Sequence, residues 1–138
     1  MTIQQLLELA ITRSASDLHL SVGFPPQLRV HGDLFAIPGE EIITQAHIES
    51  LIYPLLTELQ KQVFQQNWEL DFSFEFQSKA RFRVNLYRQK GYQAAALRLI
   101  PLNIRTLDEL ALPQSIGKVA DLRQGFILIT GPTGHGKS

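Results

Sequence analysis

Residues Leu70–Tyr87 read LDFSFEFQSKARFRVNLY. Leu70, Phe72, Phe74 and Phe76 alternate with Asp71, Ser73 and Glu75; after a break, Phe82, Val84 and Leu86 alternate with Arg81, Arg83, Asn85 and Tyr87. A period of two is the mark of a pleated strand with one apolar face. A three-residue loop at Gln77-Ser78-Lys79 sets Phe74 opposite Phe82 and Glu75 opposite Arg81. A two-residue loop would set Phe74 opposite Arg81 and mix the faces, so parity excludes it. The next turn, Arg88-Gln89-Lys90-Gly91, leads into a third strand from Tyr92 to Leu99. With a two- or four-residue loop there, Phe82 is expected to face Leu97, and Arg81 to face Arg98.

Upstream, Ile3, Leu6, Leu7, Ala10 and Ile11 recur at helical spacing between Thr2 and Arg13. Asp17-Leu18-His19-Leu20 alternates as a short strand, and Gly23-Phe24-Pro25-Pro26 is a loop. Gln27–Val30 and Asp33–Ile37 read as two strands around a hairpin signal at His31-Gly32-Asp33. Thr44 caps a helix running to about Tyr53, with Ile48, Leu51 and Ile52 inward; Pro54 restarts the chain, and Thr57–Gln66 reads as another helix. Residues 1 to about 100 therefore read as an antiparallel α+β unit. Trp68, Phe72, Phe74, Phe76 and Phe82 are expected in its core, His19 packed and hydrogen-bonded in its strand, and Asp17 as a local cap or turn.

Downstream the pattern changes. Residues 101–124 read as a linker with a helix start at Thr106 and Asp108-Glu109, and a second helix opened by Leu112-Pro113 and running through Ile116 and Val119. Phe126-Ile127-Leu128-Ile129-Thr130 is a continuous apolar run, as in a strand buried on both faces of a parallel sheet. It is followed at once by Gly131-Pro132-Thr133-Gly134-His135-Gly136-Lys137-Ser138, which fits G-x-x-x-x-G-K-[ST] in full. The glycines let backbone N–H groups converge on phosphate oxygens, Lys137 supplies a point charge to the β- and γ-phosphates, and the Ser138 hydroxyl serves Mg²⁺. Residues 125–138 thus read as the first strand and phosphate loop of a truncated α/β domain. These 138 residues include neither the helix expected after the loop nor the acidic motif expected to partner the metal. The 138-residue chain is accordingly expected to show no measurable ATP hydrolysis.

Composition narrows the alternatives. With 44% hydrophobic and 19% charged residues, the chain is globular, neither disordered nor fibrous. No apolar run is long enough to span a membrane, and no signal peptide shows, because Glu8 and Thr12-Arg13-Ser14 interrupt the first apolar stretch. There is no Cys, so disulfides and thiolate metal sites are excluded, and His19, His31, His47 and His135 are too scattered for a metal site. Thirteen basic and 13 acidic residues cancel, yet their distribution is uneven. From Phe76 to Leu107 there is no acid, while Lys79, Arg81, Arg83, Arg88, Lys90, Arg98 and Arg105 all fall there. Arg81, Arg83 and Arg98 share one sheet face, where facing like charges destabilise unless an anion offsets them. A solvated polar face, a phosphate-gripping arginine cluster and a single-stranded nucleic-acid site through Arg81, Arg83, Tyr87 and Tyr92 compete for that surface. The zero net charge argues against nucleic acid.

Ala15-Ser16-Asp17-Leu18-His19-Leu20, Pro25-Pro26 with Arg29 and Gly32-Asp33-Leu34, Asp71-Phe72-Ser73-Phe74, Ala80 to Asn85, Ala96 to Pro101, Leu107, Leu110 and Gly125 to Ser138 together resemble the type IV pilus retraction ATPases. These form the twitching-motility PilT family of the secretion-ATPase superfamily, and the resemblance covers the N-terminal portion of their architecture. It implies a PAS-like domain over 1–100, a linker over 101–124 and the start of a RecA-like ATPase domain over 125–138. It further implies homo-hexameric rings, with ATP bound between the two domains and Arg81, Arg83 and Arg98 reaching its phosphates. A motor of this kind would be cytoplasmic, peripheral at the inner-membrane pilus base, and partnered there by a platform protein. The family usually has Ser where this chain has His135, a position that contributes mainly backbone to the phosphate cradle. The rival readings are a paralogous type II secretion or pilus assembly ATPase, and a stand-alone PAS-like interaction module.

Overall fold

A computed structural model of the chain describes residues 1–102 and 106–131. Pro132 to Ser138 of the phosphate loop, and Arg105, lie outside the described residues. The chain divides into two units, Met1–Leu102 and Asn103–Ser138.

In the first unit, helix α1 (Ile3–Thr12) precedes strands β1 (Asp17–Ser21), β2 (Gln27–Val30) and β3 (Asp33–Ala36). Helix α2 (Gln45–Ile52), a 3-10 turn (Tyr53–Leu55) and helix α3 (Glu58–Asn67) follow, then strands β4 (Glu69–Phe76), β5 (Ala80–Gln89) and β6 (Tyr92–Pro101). Each helix starts where a threonine can accept a backbone hydrogen bond. Thr2 and Thr57 form reciprocal capping boxes with Gln5 and Gln60, and Thr44 accepts from the His47 N–H at 3.2 Å. Helix α3 ends on Trp68 in the left-handed region at φ 58°, with the Arg88 guanidinium 4.1 Å over its ring.

The described residues form one six-stranded antiparallel sheet in the order β3-β2-β1-β6-β5-β4. Two of its hairpins close on two-residue turns, His31-Gly32 (φ 51° and 94°) and Lys90-Gly91 (φ 50° and 88°). Positive φ at both central residues is the mirror-image turn whose twist matches the strands, and it favours glycine in second place. The β4–β5 hairpin has the expected three-residue loop, with Phe74 opposite Phe82, Glu75 opposite Arg81 and Phe76 opposite Ala80.

Between β5 and β6 the expected register is two residues out. Gln89 pairs with Tyr92, so Phe82 faces Leu99 and Arg81 faces Ile100, and it is Arg83 that faces Arg98. The apolar pattern sets only parity, and a shift of two leaves every side chain on its face; the turn sets the register.

One face of the sheet is apolar. Leu18, Leu20, Leu28, Phe82, Val84, Leu86 and Leu97 join Leu6, Leu7, Ile48, Ile52 and Phe64 of the three helices in one core. Phe82 is fully enclosed, stacked on Phe74 (5.8 Å) and edge-on to Phe76 (6.3 Å). Of the aromatics expected in the core, Phe72 and Phe74 are only half-buried, because β4 is an edge strand, and Trp68 is exposed at the end of α3.

In the second unit, Thr106 and Glu109 form a capping box around a single turn, and helix α4 covers Ser115–Ala120. The strand expected at Phe126–Thr130 is absent: these residues have no ladder partner among the described residues, and Phe126 is 87% exposed. A parallel-sheet strand exists only through hydrogen bonds to its neighbours, so apolar character alone does not make one.

Replacing Phe82 by Ala is expected to cost about 3–5 kcal/mol of stability, whereas Glu75→Ala on the opposite face of the same hairpin should stay within about 0.5 kcal/mol. Urea unfolding followed by Trp68 fluorescence measures both. A Phe82→Ala loss no larger than that of Glu75→Ala would contradict the core assignment.

Candidate functional site

The polar face of the sheet carries the site. Parity puts Arg81 and Arg83 of β5, Arg98 of β6, Asp17 and His19 of β1, Arg29 of β2, and Asp71 and Ser73 of β4 on that face. At its centre lies an open hollow of about 310 Å³ lined by Asp17, Asp71, Arg83, Asn85, Ala96 and Arg98. The hollow exists because β6 places a methyl group there: Ala96 pairs with His19 on one side and Asn85 on the other. Long side chains stand around a short one, which leaves the hollow between them.

The three arginines expected to act together do not all meet. Arg83 and Arg98 are direct register partners and both line the hollow. Arg81 lies one pleat further along. Its Nη2 and Nε donate to Ser73 Oγ at 2.7 and 3.3 Å, and Glu75 opposite it lies beyond ion-pair distance. Arg83 makes no hydrogen bond or ion pair among the described residues. Like charges directly opposed across a ladder cost stability, and an oxyanion between them would reverse that sign. Asp71 lines the same hollow without an ion pair among the described residues, so it trims the positive field there.

Asp17 has a larger part than the turn residue expected of it. Its Oδ1 accepts from Arg98 Nε at 3.0 Å, its Oδ2 accepts from Ser16 Oγ at 2.8 Å, and Arg29 Nε stands 3.8 Å from Oδ2. Arg29 in turn donates through Nη1 to the Gly32 carbonyl at 2.8 Å. The signal was in the sequence: alternation with Leu18 and Leu20 already put Asp17 and His19 on the polar face.

His19 also differs from expectation. Its Nε2 is buried and has no hydrogen-bond partner among the described residues. Burial pushes its imidazole below the usual value of 6.5; Asp17 opposes this by raising it, and Arg29 and Arg98 add to the lowering. The described residues contain no group of His and acidic side chains placed to hold a metal ion, and no helix long and apolar enough to cross a membrane.

No protein-family model matches the chain. Among curated proteins, it is 41% identical over all 138 residues to the type IV pilus retraction ATPase PilT of Pseudomonas aeruginosa, covering 40% of that protein. It is 32% identical over its full length to the type IV pilus ATPase PilU of the same organism, covering 36% of it. Among solved structures, the pilus retraction motor PilT with bound ADP superposes with a TM-score of 0.78 at 35% identity, over 99% of this chain and 40% of that one. The chain therefore spans about two fifths of the length of these relatives, and its resemblance to the pilus retraction ATPases holds from end to end.

The depressed His19 titration has a consequence for stability. Below about 6.5 the unfolded chain binds a proton at this position more readily than the folded one. Stability is thus expected to fall as pH drops through 6.5 and to level off once the folded-state imidazole is itself protonated. His19→Gln should flatten that part of the profile, as read from urea midpoints between pH 5 and 8. An unchanged slope in the variant would remove His19 as its cause.

Proposed function

We propose that this chain is the N-terminal part of a hexameric P-loop ATPase that hydrolyses ATP to power type IV pilus retraction. The observation that carries it is the direct opposition of Arg83 and Arg98 across the β5–β6 ladder, where both line a hollow on the polar face of the sheet. Arg98 shares Asp17 with Arg29, and Arg83 has no ion pair among the described residues, so positive charge is in surplus there, and a planar fork grips phosphate oxygens in two places. The octapeptide Gly131–Ser138 supports the nucleotide from the sequence side, and the full-length likeness to PilT supports the motor class.

In this proposal residues 1–100 are a PAS-like domain, 101–124 a linker, and 125–138 the opening of a RecA-like ATPase domain. The apolar run Phe126–Thr130 becomes a buried strand once neighbouring strands are supplied to it. Gly131, Pro132, Thr133, Gly134, His135 and Gly136 cradle the phosphates with backbone N–H groups, Lys137 meets the β- and γ-phosphates, and Ser138 serves Mg²⁺. Arg83 and Arg98 approach the phosphates from the polar sheet face, with Arg81 further along the same strand. Charge neutralisation at the phosphates is the driving force when ATP binds, and it is lost after hydrolysis and release. The motor works in the cytoplasm at the inner-membrane pilus base, against a platform protein. A paralogous type II secretion or pilus assembly ATPase is the second reading; the 41% identity to PilT, against 32% to PilU over the same 138 residues, supports the retraction motor over a paralogue.

Two measurements test this. A peptide of these 138 residues alone is expected to show no magnesium-dependent ATP turnover above blank, because the proposed ATPase domain is represented in it only by residues 125–138. In a protein extended through the complete ATPase domain, Arg83→Ala should lower turnover by roughly 10²–10³, the usual cost of deleting one preorganised donor to transition-state charge. Its thermal midpoint should be unchanged or raised. Full turnover in that variant would count against the arginine role.

A further inference from the structure

Asp17 is the most enclosed charged side chain on the polar face: 10% exposed, against 37% for Arg29 and 66% for Arg98. A carboxylate held so far from water must have its lone pairs engaged, and these are. Oδ1 takes the Arg98 Nε–H at 3.0 Å, and Oδ2 takes the Ser16 hydroxyl at 2.8 Å with Arg29 alongside at 3.8 Å. Its backbone is equally constrained, because β1 is an interior strand and Asp17 pairs with Arg29 on one side and Arg98 on the other.

What matters is which nitrogen of Arg98 is used. A guanidinium is a flat group with five N–H donors. Capture of Nε by a fixed carboxylate sets the plane and leaves the two terminal nitrogens, which have no hydrogen bond among the described residues. Their ladder neighbour, Arg83, also has all its donors unused there. The carboxylate therefore turns one long, exposed side chain into an oriented two-pronged donor beside a second one.

We propose that Asp17 is a positioning residue: by holding Arg98 through Nε, it presents the terminal nitrogens of Arg98, together with Arg83, to adjacent oxygens of a polyphosphate. This rests on the phosphate-site reading above, and it makes a prediction opposite in sign to bulk electrostatics. Removing a carboxylate adds positive charge beside the hollow, so charge alone would tighten anion binding. Loss of orientation weakens it instead, because Arg98 must then be ordered at the moment of binding.

The probe is tripolyphosphate, titrated calorimetrically at fixed ionic strength into the full 138-residue chain and its variants. Asp17→Asn keeps one acceptor oxygen for Arg98 Nε, and Asp17→Ala keeps none. Affinity is expected to fall in the order wild type, Asn, Ala, with the Ala variant weaker by roughly tenfold, on the scale of immobilising one long side chain. Nitrogen-15 NMR of the arginine Nε–H groups supplies the second readout: Arg98 should give a distinct, slowly exchanging signal that Asp17→Ala erases while thermal melting still shows a folded chain. If Asp17→Ala does not fold, Asp17→Asn decides by the sign of its affinity change. Equal or tighter binding in the Asp17 variants, or an Arg98 Nε–H in the wild type exchanging like free arginine, overturns the positioning role. Failure of the phosphate-site reading looks different: wild type and Arg83→Gln would then ignore tripolyphosphate alike, and Asp17 would lose its ligand even if the Arg98 signal stayed sharp.

Discussion

The pleat of β5 is the constraint on which the rest depends. Along Ala80–Gln89, successive side chains point to opposite sides of the sheet, and the strand is paired on both edges, by β4 and β6. Phe82, Val84 and Leu86 go one way and are fully buried beneath the helices. Arg81, Arg83 and Asn85 then have no choice but the other side. Burying one phenylalanine contributes about 1.5–3 kcal/mol, so a slip of one residue, which would bury the arginines, is far more costly than any charge repulsion on the polar face. The core thus holds the guanidinium groups of Arg83 and Arg98 opposite each other although they repel.

That repulsion is handled unevenly, and the unevenness gives the polar face its chemistry. Arg81 has Ser73, Arg98 has Asp17, and Arg29 shares Asp17 and reaches the Gly32 carbonyl. Arg83 has no partner among the described residues. The solvent-exposed ion pairs contribute little to stability by themselves. Their weight lies in orientation: a buried carboxylate in an interior strand is a fixed point against which mobile guanidinium groups are set. His19, beside it in β1, has its imidazole pushed below the usual value by burial, against the pull of Asp17 and with help from the same two arginines. Ala96 completes the arrangement by leaving room, and the hollow above it belongs to the strand order β1-β6-β5.

Much of this was legible in the residues. Alternation at Leu70–Tyr87 and at Asp17–Leu20 specified strands and faces, threonines specified helix starts, and His31-Gly32 specified a hairpin, because each is a local preference of a few dihedral angles. The acid-free stretch from Phe76 to Leu107 points to a basic surface by composition alone. Other features were not local. The β5–β6 register was two residues from the expected one because the apolar pattern is blind to even shifts. Trp68, an aromatic expected in the core, instead ends α3 with its ring exposed beneath Arg88. Phe126–Thr130 reads as a buried strand, but these residues have no ladder partner among the described residues, and apolar side chains alone do not make one.

By itself, then, the sequence determined which residues lie on which face, where the helices begin, and that a phosphate-loop motif follows an apolar run. These follow from periodicity and from short-range hydrogen bonds, which need no knowledge of distant chain. Only the tertiary structure decided that Arg83, and not Arg81, stands against Arg98. It also decided that β1 inserts beside β6 to bring Asp17 within 3.0 Å of Arg98, across 81 positions of sequence. Strand order and register come from how separate hairpins share one core, and no local pattern encodes which edge a neighbour will take.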